Sequence, residues 1–394
     1  MITSARIVQS KIAPLESLRG IAALTVVLYH SSIDCFLTTN DFVRNGDLMV
    51  NFFFVLSGYV IALNYTETIS NFADVLAFQK RRFWRLYPLH FFTLLVFIGI
   101  DCLKYVFERY AHVSANNAGF ETDNFIGFVN NIFLTHGLLL DKLTFNYPSW
   151  SISTEFYTYL TFAILMLTGR LRFLLCSVVA LGTFVTLAFT HTAFVGSHFS
   201  TCLYSFFLGV IGLAVSRRIP LRTPQFVLVV LTLAAVLFVC VLSHSPVRNL
   251  IPILFLLVVL GFATSQRDGW LNRLLSAAPF TYIGTISYSI YLVHASVWWA
   301  TNQMLRYVFR APTFLTDAGL AKIRLSPAWA IVSVLGGLGI TILLSHCTFQ
   351  WIEDRFRRGL KNQKISRHWA HSAALRIELE NQDGLSHETA SMRR

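Results

Sequence analysis

Apolar stretches of about 20 residues recur along nearly the whole chain. A helix needs about 20 mostly apolar residues to cross the hydrocarbon core of a bilayer. The sequence therefore predicts an all-α, polytopic integral membrane protein with about ten transmembrane helices. The ten predicted spans are approximately 16–36, 47–65, 86–106, 148–168, 171–190, 199–216, 225–243, 249–265, 280–304 and 327–350.

The composition excludes the other broad classes. Hydrophobic residues make up 55% of the 394 residues and charged residues only 13%. Because soluble domains carry about 25% charged residues, a soluble enzyme, a disordered chain and a fibrous protein are ruled out. The net charge of +12 resides mostly in short Lys and Arg clusters between the apolar stretches. Such clusters are typical of loops that face anionic lipid, so no nucleic-acid partner is predicted. No CxxC pair is present, and no metal site is predicted.

The basic clusters also predict the orientation, because cytoplasmic loops carry an excess of Lys and Arg. Ten spans place most clusters on the same side as a cytoplasmic amino terminus. A full span at 123–140 would move several clusters outside, so we interpret that segment as an interfacial or re-entrant helix. Both termini are then cytoplasmic, with a membrane domain at 1–356 and a polar tail at 357–394. Within the tail, 366–380 is either a short surface helix or disordered.

Two ionisable residues in the first span indicate function, because ionisable groups inside a bilayer are costly. Arg19 and His30 are eleven residues apart, which places them on the same helix face and about 16 Å apart along the axis. A guanidinium binds phosphate and an imidazole accepts a proton from a hydroxyl near neutral pH. The alternative is a snorkelling arginine and an unrelated packed histidine.

Two further segments have both a structural and a functional interpretation. Ser57-Gly58 in the second span permits a helix kink or lines a site. Arg82 and Arg85, with Trp84 between them, are suited to a nucleotide phosphate carrier or are an ordinary cytoplasmic anchor.

Polar residues in two later spans complete the pattern. Glu155 lies four residues after Ser151 in the segment that begins Trp150-Ser151. A buried Glu needs an Arg or His partner, or contacts a polar acceptor. A polar face in the ninth span either lines a site or joins helices by hydrogen bonds. That face consists of Ser287, Tyr291 and His294.

These motifs, taken in order, resemble the membrane-bound acyltransferase-3 family over residues 12–356. The matching elements are Arg19 with His30, the segment 51–59, the arginine motif at 78–88, the Trp150 segment and the segment 284–294. The family often ends its last helix with Glu, a basic residue and Pro. Here Glu353 is followed by Asp354 and Arg355, and no role is assigned to Glu353.

The resemblance implies a multi-pass O-acyltransferase of the cell (inner) membrane. It would move an acyl group, most often acetyl, from cytoplasmic acyl-CoA to a carbohydrate hydroxyl on exopolysaccharide, lipopolysaccharide or a lipid-linked or signalling saccharide. Acyl-CoA is then a donor substrate and no cofactor is permanently bound. The expected partners are acyl-CoA, a carbohydrate acceptor and the bilayer. The alternative is a multi-span transporter or flippase of a polar or anionic substrate.

The resemblance makes the histidine essential and ties the arginines to donor binding. Together with the residue pattern it predicts that His30 is the general base or a transient acyl carrier, and that Glu155 supports His30 or balances an arginine. The donor-binding residues would be Arg19, Arg82, Arg85 and Trp84. The residues expected to line the rest of the site are Ser57, Gly58, Trp150, Ser151, Ser287, Tyr291 and His294.

Overall fold

The computed structural model describes residues 12–111, 120–121, 123–140, 142–189, 196–219, 222–241, 246–266, 268–316, 319 and 321–358. The tail predictions beyond residue 358, including the segment 366–380, lie outside the described residues.

Sixteen α-helices and one hairpin of two strands account for most of the described residues. In chain order the helices are α1 Ala13–Tyr29, α2 Phe36–Thr39, α3 Asp41–Arg44, α4 Met49–Tyr65, α5 Phe72–Ala111, α6 Phe125–Ile132, α7 His136–Leu139, α8 Trp150–Met166, α9 Arg172–Phe189, α10 Ser197–Arg218, α11 Gln225–Val241, α12 Ile251–Thr264, α13 Trp270–Leu275, α14 Ala278–Thr285, α15 Ser287–Gln303 and α16 Pro327–Thr348. The strands are β1 Thr313–Leu315 and β2 Ala321–Ile323.

Within the described ranges, six helical segments are long and apolar enough to cross a bilayer. They are Gly46–Tyr65, Phe72–Tyr110, Gly169–Ala188, Ser197–Arg218, Val247–Thr264 and Pro327–Arg358. Three other predicted spans correspond to α1, α8 and α11, which have 17 residues each. The multi-pass membrane class is confirmed, whereas the count of ten spans and the side of the termini stay predictions.

The ninth predicted span, 280–304, is wrong as one continuous helix, because the chain bends at Ile286 between α14 and α15. Gly284 lies directly against α1 next to this bend. A Cβ built on Gly284 would lie 1.9 Å from the carbonyl oxygen of Glu16. Such backbone-to-backbone approach is possible only for glycine, so the bend and the close crossing together bring α15 alongside α1.

The ambiguous segment 123–140 forms two short helices, α6 and α7, separated by a turn in which Leu134 has φ of 56°. The eight residues of α6 span about 12 Å, which is too short to cross a bilayer. Asn131 and His136 are buried, whereas Phe125 is 77% exposed. The segment therefore does not cross the bilayer as one helix, and its interfacial or re-entrant placement stays a prediction.

Helices α4 and α10 cross at van der Waals contact because glycines face each other. A Cβ on Gly58 would lie 1.9 Å from the carbonyl oxygen of Phe206, and one on Gly209 would lie 2.1 Å from that of Val55. Small residues allow this close approach in membrane helices. Gly58 therefore serves helix packing, and this contact fixes the orientation of α4 and of its neighbour Ser57.

The hairpin of β1 and β2 holds the chain that follows α1. Asp34 N–H donates to the carbonyl oxygen of Ile323 at 3.0 Å, and Ile323 N–H donates to that of Ser32 at 2.8 Å. Lys322 Nζ donates to the carbonyl oxygen of Ser31 at 2.8 Å. These bonds restrain the segment immediately after His30, at the end of α1.

Candidate active site

A cavity of about 270 Å³ lies between α1, α4, α5, α8 and α15. Eight of the thirteen predicted site residues line this cavity. They lie on five different helices, and the first and last of them are Arg19 and Tyr291. They are Arg19, Ser57, Arg82, Arg85, Ser151, Glu155, Ser287 and Tyr291. The other five are His30, Gly58, Trp84, Trp150 and His294, and they lie outside the lining.

The chemistry of the cavity changes along its length. At one end its lining includes Ile12, before the start of α1, and exposed Asn64, at the end of α4. The basic cluster 80–85 begins on the same side. At the other end the lining consists of Phe53, Ser151 and Tyr291 among others. The cavity therefore runs from a cationic mouth toward an apolar and hydroxyl-lined inner end.

Arg19 is fixed by hydrogen bonds from two directions. Its Nε donates to Ser287 Oγ at 2.9 Å, and its Nη2 donates to Glu16 Oε2 at 2.9 Å and to the carbonyl oxygen of Gly284 at 3.0 Å. The partners Ser287 and Gly284 lie on α15 and α14. Because three acceptors already occupy the guanidinium, Arg19 positions helices as well as lining the cavity.

Arg85 differs from Arg19 because its guanidinium makes no hydrogen bond within the described part of the chain. It lines the cavity and interacts electrostatically with Glu353, Glu155 and Glu16. A guanidinium held among carboxylates but free of hydrogen bonds keeps its donors available for an anionic ligand.

Arg82 is buried and surrounded by aromatic rings. Its Nη2 donates to the hydroxyl of Tyr65 at 3.0 Å, and its guanidinium carbon lies 5.3 Å from that ring centre and 5.6 Å from the ring centre of Phe78. Its buried Nε has no hydrogen-bond partner among the described residues. Arg82 and Arg85 therefore supply two cationic groups at the same wall of the cavity.

Glu155 is bonded to hydroxyl groups. Ser57 Oγ donates to Glu155 Oε1 at 2.5 Å and Tyr159 Oη donates to the same oxygen at 2.6 Å. The two hydroxyl oxygens lie 2.8 Å apart. The predicted neighbour Ser151 instead donates to Tyr291 Oη at 2.9 Å, and sequence reasoning missed Tyr159, although it follows Glu155 by four residues on the same helix face.

The inner end of the cavity is closed by Tyr291. Its hydroxyl donates to the carbonyl oxygen of Pro148 at 2.7 Å and accepts from Ser151. Its ring centre lies 5.9 Å from that of His294. His294 in turn touches His30, with ring centres 5.0 Å apart. His30 therefore lies next to the inner end of the cavity but behind these rings.

Two predicted aromatic residues have other contacts. Trp84 stacks on Phe356 with ring centres 5.7 Å apart and is 37% exposed, so it lies on the outer side of α5. Trp150 packs against His198 at 4.2 Å. Neither indole lines the cavity, because each side chain leaves its helix on a different face from the arginines or from Glu155.

Glu353 has a defined environment that the sequence did not reveal. Its Oε2 accepts from Ser289 Oγ at 3.1 Å and its Oε1 from Arg357 at 3.4 Å. It ends a π-helical turn, Phe349–Glu353, and such turns are frequent at functional sites. It also interacts electrostatically with Arg85, which lines the cavity.

Comparison of the sequence with known proteins assigns the chain to a family. The model of the acyltransferase domain Acyl_transf_3 matches residues 12–346. Acyltransferase MdmB of Streptomyces mycarofaciens is 30% identical over 164 residues, which cover 39% of this chain and 39% of MdmB. Peptidoglycan O-acetyltransferase OatA of Listeria monocytogenes serovar 1/2a is 24% identical over 378 residues, which cover 87% of this chain and 55% of OatA.

The chain thus spans only about half or less of the length of these two relatives. No solved structure matches the chain. The family model nevertheless covers most of the chain and includes Arg19, His30, the arginine pair and Glu155. It confirms the resemblance drawn from the motifs, and the region that it matches is an acyltransferase domain. The chain belongs to the membrane-bound acyltransferase-3 family.

Proposed function

We propose that this protein resides in the cell (inner) membrane and transfers an acyl group from cytoplasmic acyl-CoA to a carbohydrate hydroxyl. Acetyl is the proposed group, since the relative OatA is named an O-acetyltransferase. Exopolysaccharide, lipopolysaccharide and lipid-linked or signalling saccharides are the proposed acceptors. Both termini and the mouth of the cavity would then face the cytoplasm.

The observation that carries the donor assignment is the guanidinium of Arg85, which makes no hydrogen bond to the described residues and lines a cavity that runs toward apolar and hydroxyl groups. Acyl-CoA has the same polarity, with phosphates at one end and a thioester at the other. Arg85 and Arg82 would bind the phosphates, because a guanidinium matches phosphate geometry. Arg19 lines the wall between the arginine pair and α15.

His30 supplies the base. Its imidazole would remove the proton of the acceptor hydroxyl as the oxygen attacks the thioester carbonyl. The carbon–sulfur bond then breaks, and the leaving CoA thiolate takes the proton back from the imidazolium. An ester and free CoA result, and His30 returns to its starting state. Because Tyr291 closes the inner end, its ring must turn aside for the thioester to reach His30.

Glu155 would not act on His30 directly. Its carboxylate is held by Ser57 and Tyr159 and interacts with Arg85. We assign Glu155 the role of balancing the positive charge of Arg82 and Arg85. Without it, these buried charges would have less compensating negative charge when no acyl-CoA is bound.

Purified protein in lipid nanodiscs tests the proposal. Acetyl-CoA is added with and without saccharide fractions, and release of free CoA thiol and formation of base-labile acetyl esters are measured. The proposal requires both products, in equal amounts, only when a suitable saccharide is present. Absence of esters on surface saccharides from cells that express the protein, as judged by mass spectrometry, contradicts it.

A further inference from the structure

The proposed base, His30, is in contact with a second histidine. The Nε2 atom of His294 lies 3.1 Å from Nδ1 of His30. The same Nδ1 lies 3.0 Å from the carbonyl oxygen of Val26, one turn earlier in α1. The two histidines are 264 residues apart in the chain, so α1 and α15 bring them together.

These two contacts define where the protons are. A carbonyl oxygen only accepts, so Nδ1 of His30 must carry a proton in order to bond Val26. A protonated Nδ1 has no lone pair and cannot accept a proton from His294. Nε2 of His294 is therefore the acceptor, and the Nδ1 proton of His30 is shared between Val26 and His294. The remaining nitrogen of His30, Nε2, then has a free lone pair.

A neutral imidazole that accepts at Nε2 carries its proton on Nδ1. Nδ1 of His294 is buried and has no hydrogen-bond partner among the described residues, so the assignment rests on the two contacts of His30 Nδ1. His294 is fully buried, and no carboxylate in the described part of the chain is hydrogen-bonded to either ring.

The distance between the two rings is held by packing around them. Trp298, one turn after His294, donates from Nε1 to the carbonyl oxygen of Val27 at 2.7 Å. The carbonyl oxygen of Leu292 accepts from Asn146 at 3.2 Å. Because α15 is fixed to α1 on one side and to Asn146 on the other, the contact between the imidazoles is positioned before any substrate binds.

We propose that His294 is a positioning residue that holds His30 with its Nε2 free and oriented toward the acceptor hydroxyl. This inference rests on the proposed function, because it assigns a partner to the base proposed there. During transfer, Nε2 of His30 gains the hydroxyl proton and later gives it to the CoA thiolate. The Nδ1 proton stays on His30, and its bond to His294 stabilises the transient imidazolium. A carboxylate has this role in serine hydrolases, whereas here a neutral imidazole takes it.

The kinetic experiment compares three variants in nanodiscs. His294→Leu removes the acceptor, His294→Gln restores an acceptor oxygen near the position of Nε2, and His90→Gln changes an equally buried histidine away from the cavity. Because a hydrogen bond to a charged group is lost, we expect kcat to fall about 10- to 100-fold in His294→Leu. The KM for acetyl-CoA should stay within about twofold, and His294→Gln should recover most of the rate.

A spectroscopic readout separates positioning from a loss of fold. In protein labelled with ¹⁵N-histidine, the His30 signals are assigned by their absence in His30→Gln. The inference requires a protonated Nδ1 on His30 and an unprotonated Nε2 on His294 at neutral pH. A protonated Nε2 on His294 reverses the direction of the bond and overturns the inference.

The outcomes also distinguish this inference from the proposed function. Loss of transfer in His30→Ala with full turnover in His294→Leu overturns the positioning role alone. Full turnover in His30→Ala removes the base assignment and the positioning role with it. A fall in rate that His294→Gln does not rescue, with equal losses in His90→Gln, assigns His294 to packing and overturns the inference.

Discussion

Replacing Arg85 with Gln should weaken CoA binding. Arg85 lines the cavity, and its guanidinium makes no hydrogen bond to the described residues, so the substitution removes a charge beside Glu353 and Glu155 but no hydrogen bond of the fold. A hydrogen bond to a charged group contributes about 1.5–3 kcal/mol. Loss of one phosphate contact therefore predicts about 10- to 150-fold weaker binding. Because the phosphates are remote from the thioester, kcat at saturating donor should change little.

The assay is isothermal titration of CoA into purified protein, which requires no knowledge of the acceptor. The matched control is Lys80→Gln, which removes the same charge from the exposed side of α5. If long-range attraction alone accounts for binding, the two variants will weaken it equally. Unchanged affinity in Arg85→Gln, or equal losses in both variants, refutes the assignment of Arg85 to the donor phosphates.

Three more predictions follow from local contacts. Gly58→Ala should lower the yield of folded protein severely, because its Cβ would lie 1.9 Å from a backbone oxygen of α10. Gly182→Ala places its Cβ with no atom within 4 Å and should raise the free energy of unfolding by about 0.5–1 kcal/mol. Thermal unfolding of the two variants measures the difference. Tyr159→Phe removes a 2.6 Å bond to Glu155 and should cost about 1.5–3 kcal/mol of stability, measured by chemical unfolding in detergent; an unchanged midpoint contradicts this. Burial and the hydrogen bond to a neighbouring aspartate raise the pKa of Asp123 to about 6. A raised pKa means that the folded state favours the neutral carboxyl, so protonation of Asp123 stabilises the fold at pH 4 and this contribution is lost as the pH rises through about 6. Hydrogen exchange of the backbone amides near Asp123 should become faster over that pH range. Asp123→Asn should abolish this pH dependence.

The sequence predicted the elements of the fold well where the apolar pattern was long. Each predicted span corresponds to a helix, because the requirement for about 20 apolar residues is strong and local. The exception is 280–304, where the bend at Ile286 depends on the close contact of Gly284 with α1. A contact between distant segments leaves no local signal beyond the glycine itself.

The candidate site was predicted in part, and for a related reason. Helical spacing predicted that Arg19 and His30 share one helix face, but spacing within one helix does not identify partners on other helices. The contact of His30 with His294 and that of Glu155 with Ser57 join residues 264 and 98 positions apart. Trp84 was assigned to the donor from its position between two arginines, yet neighbouring helical positions point about 100° apart, and its ring stacks on Phe356.

The most direct test of acyl transfer through His30 uses membrane vesicles from cells that express either the wild-type protein or His30→Ala. Vesicles receive acetyl-CoA with a radiolabelled acetyl group, and base-labile label on saccharide is counted after removal of free donor. We predict labelled ester with the wild-type protein and none above background with His30→Ala at equal protein levels. Equal labelling by the two proteins would contradict the account.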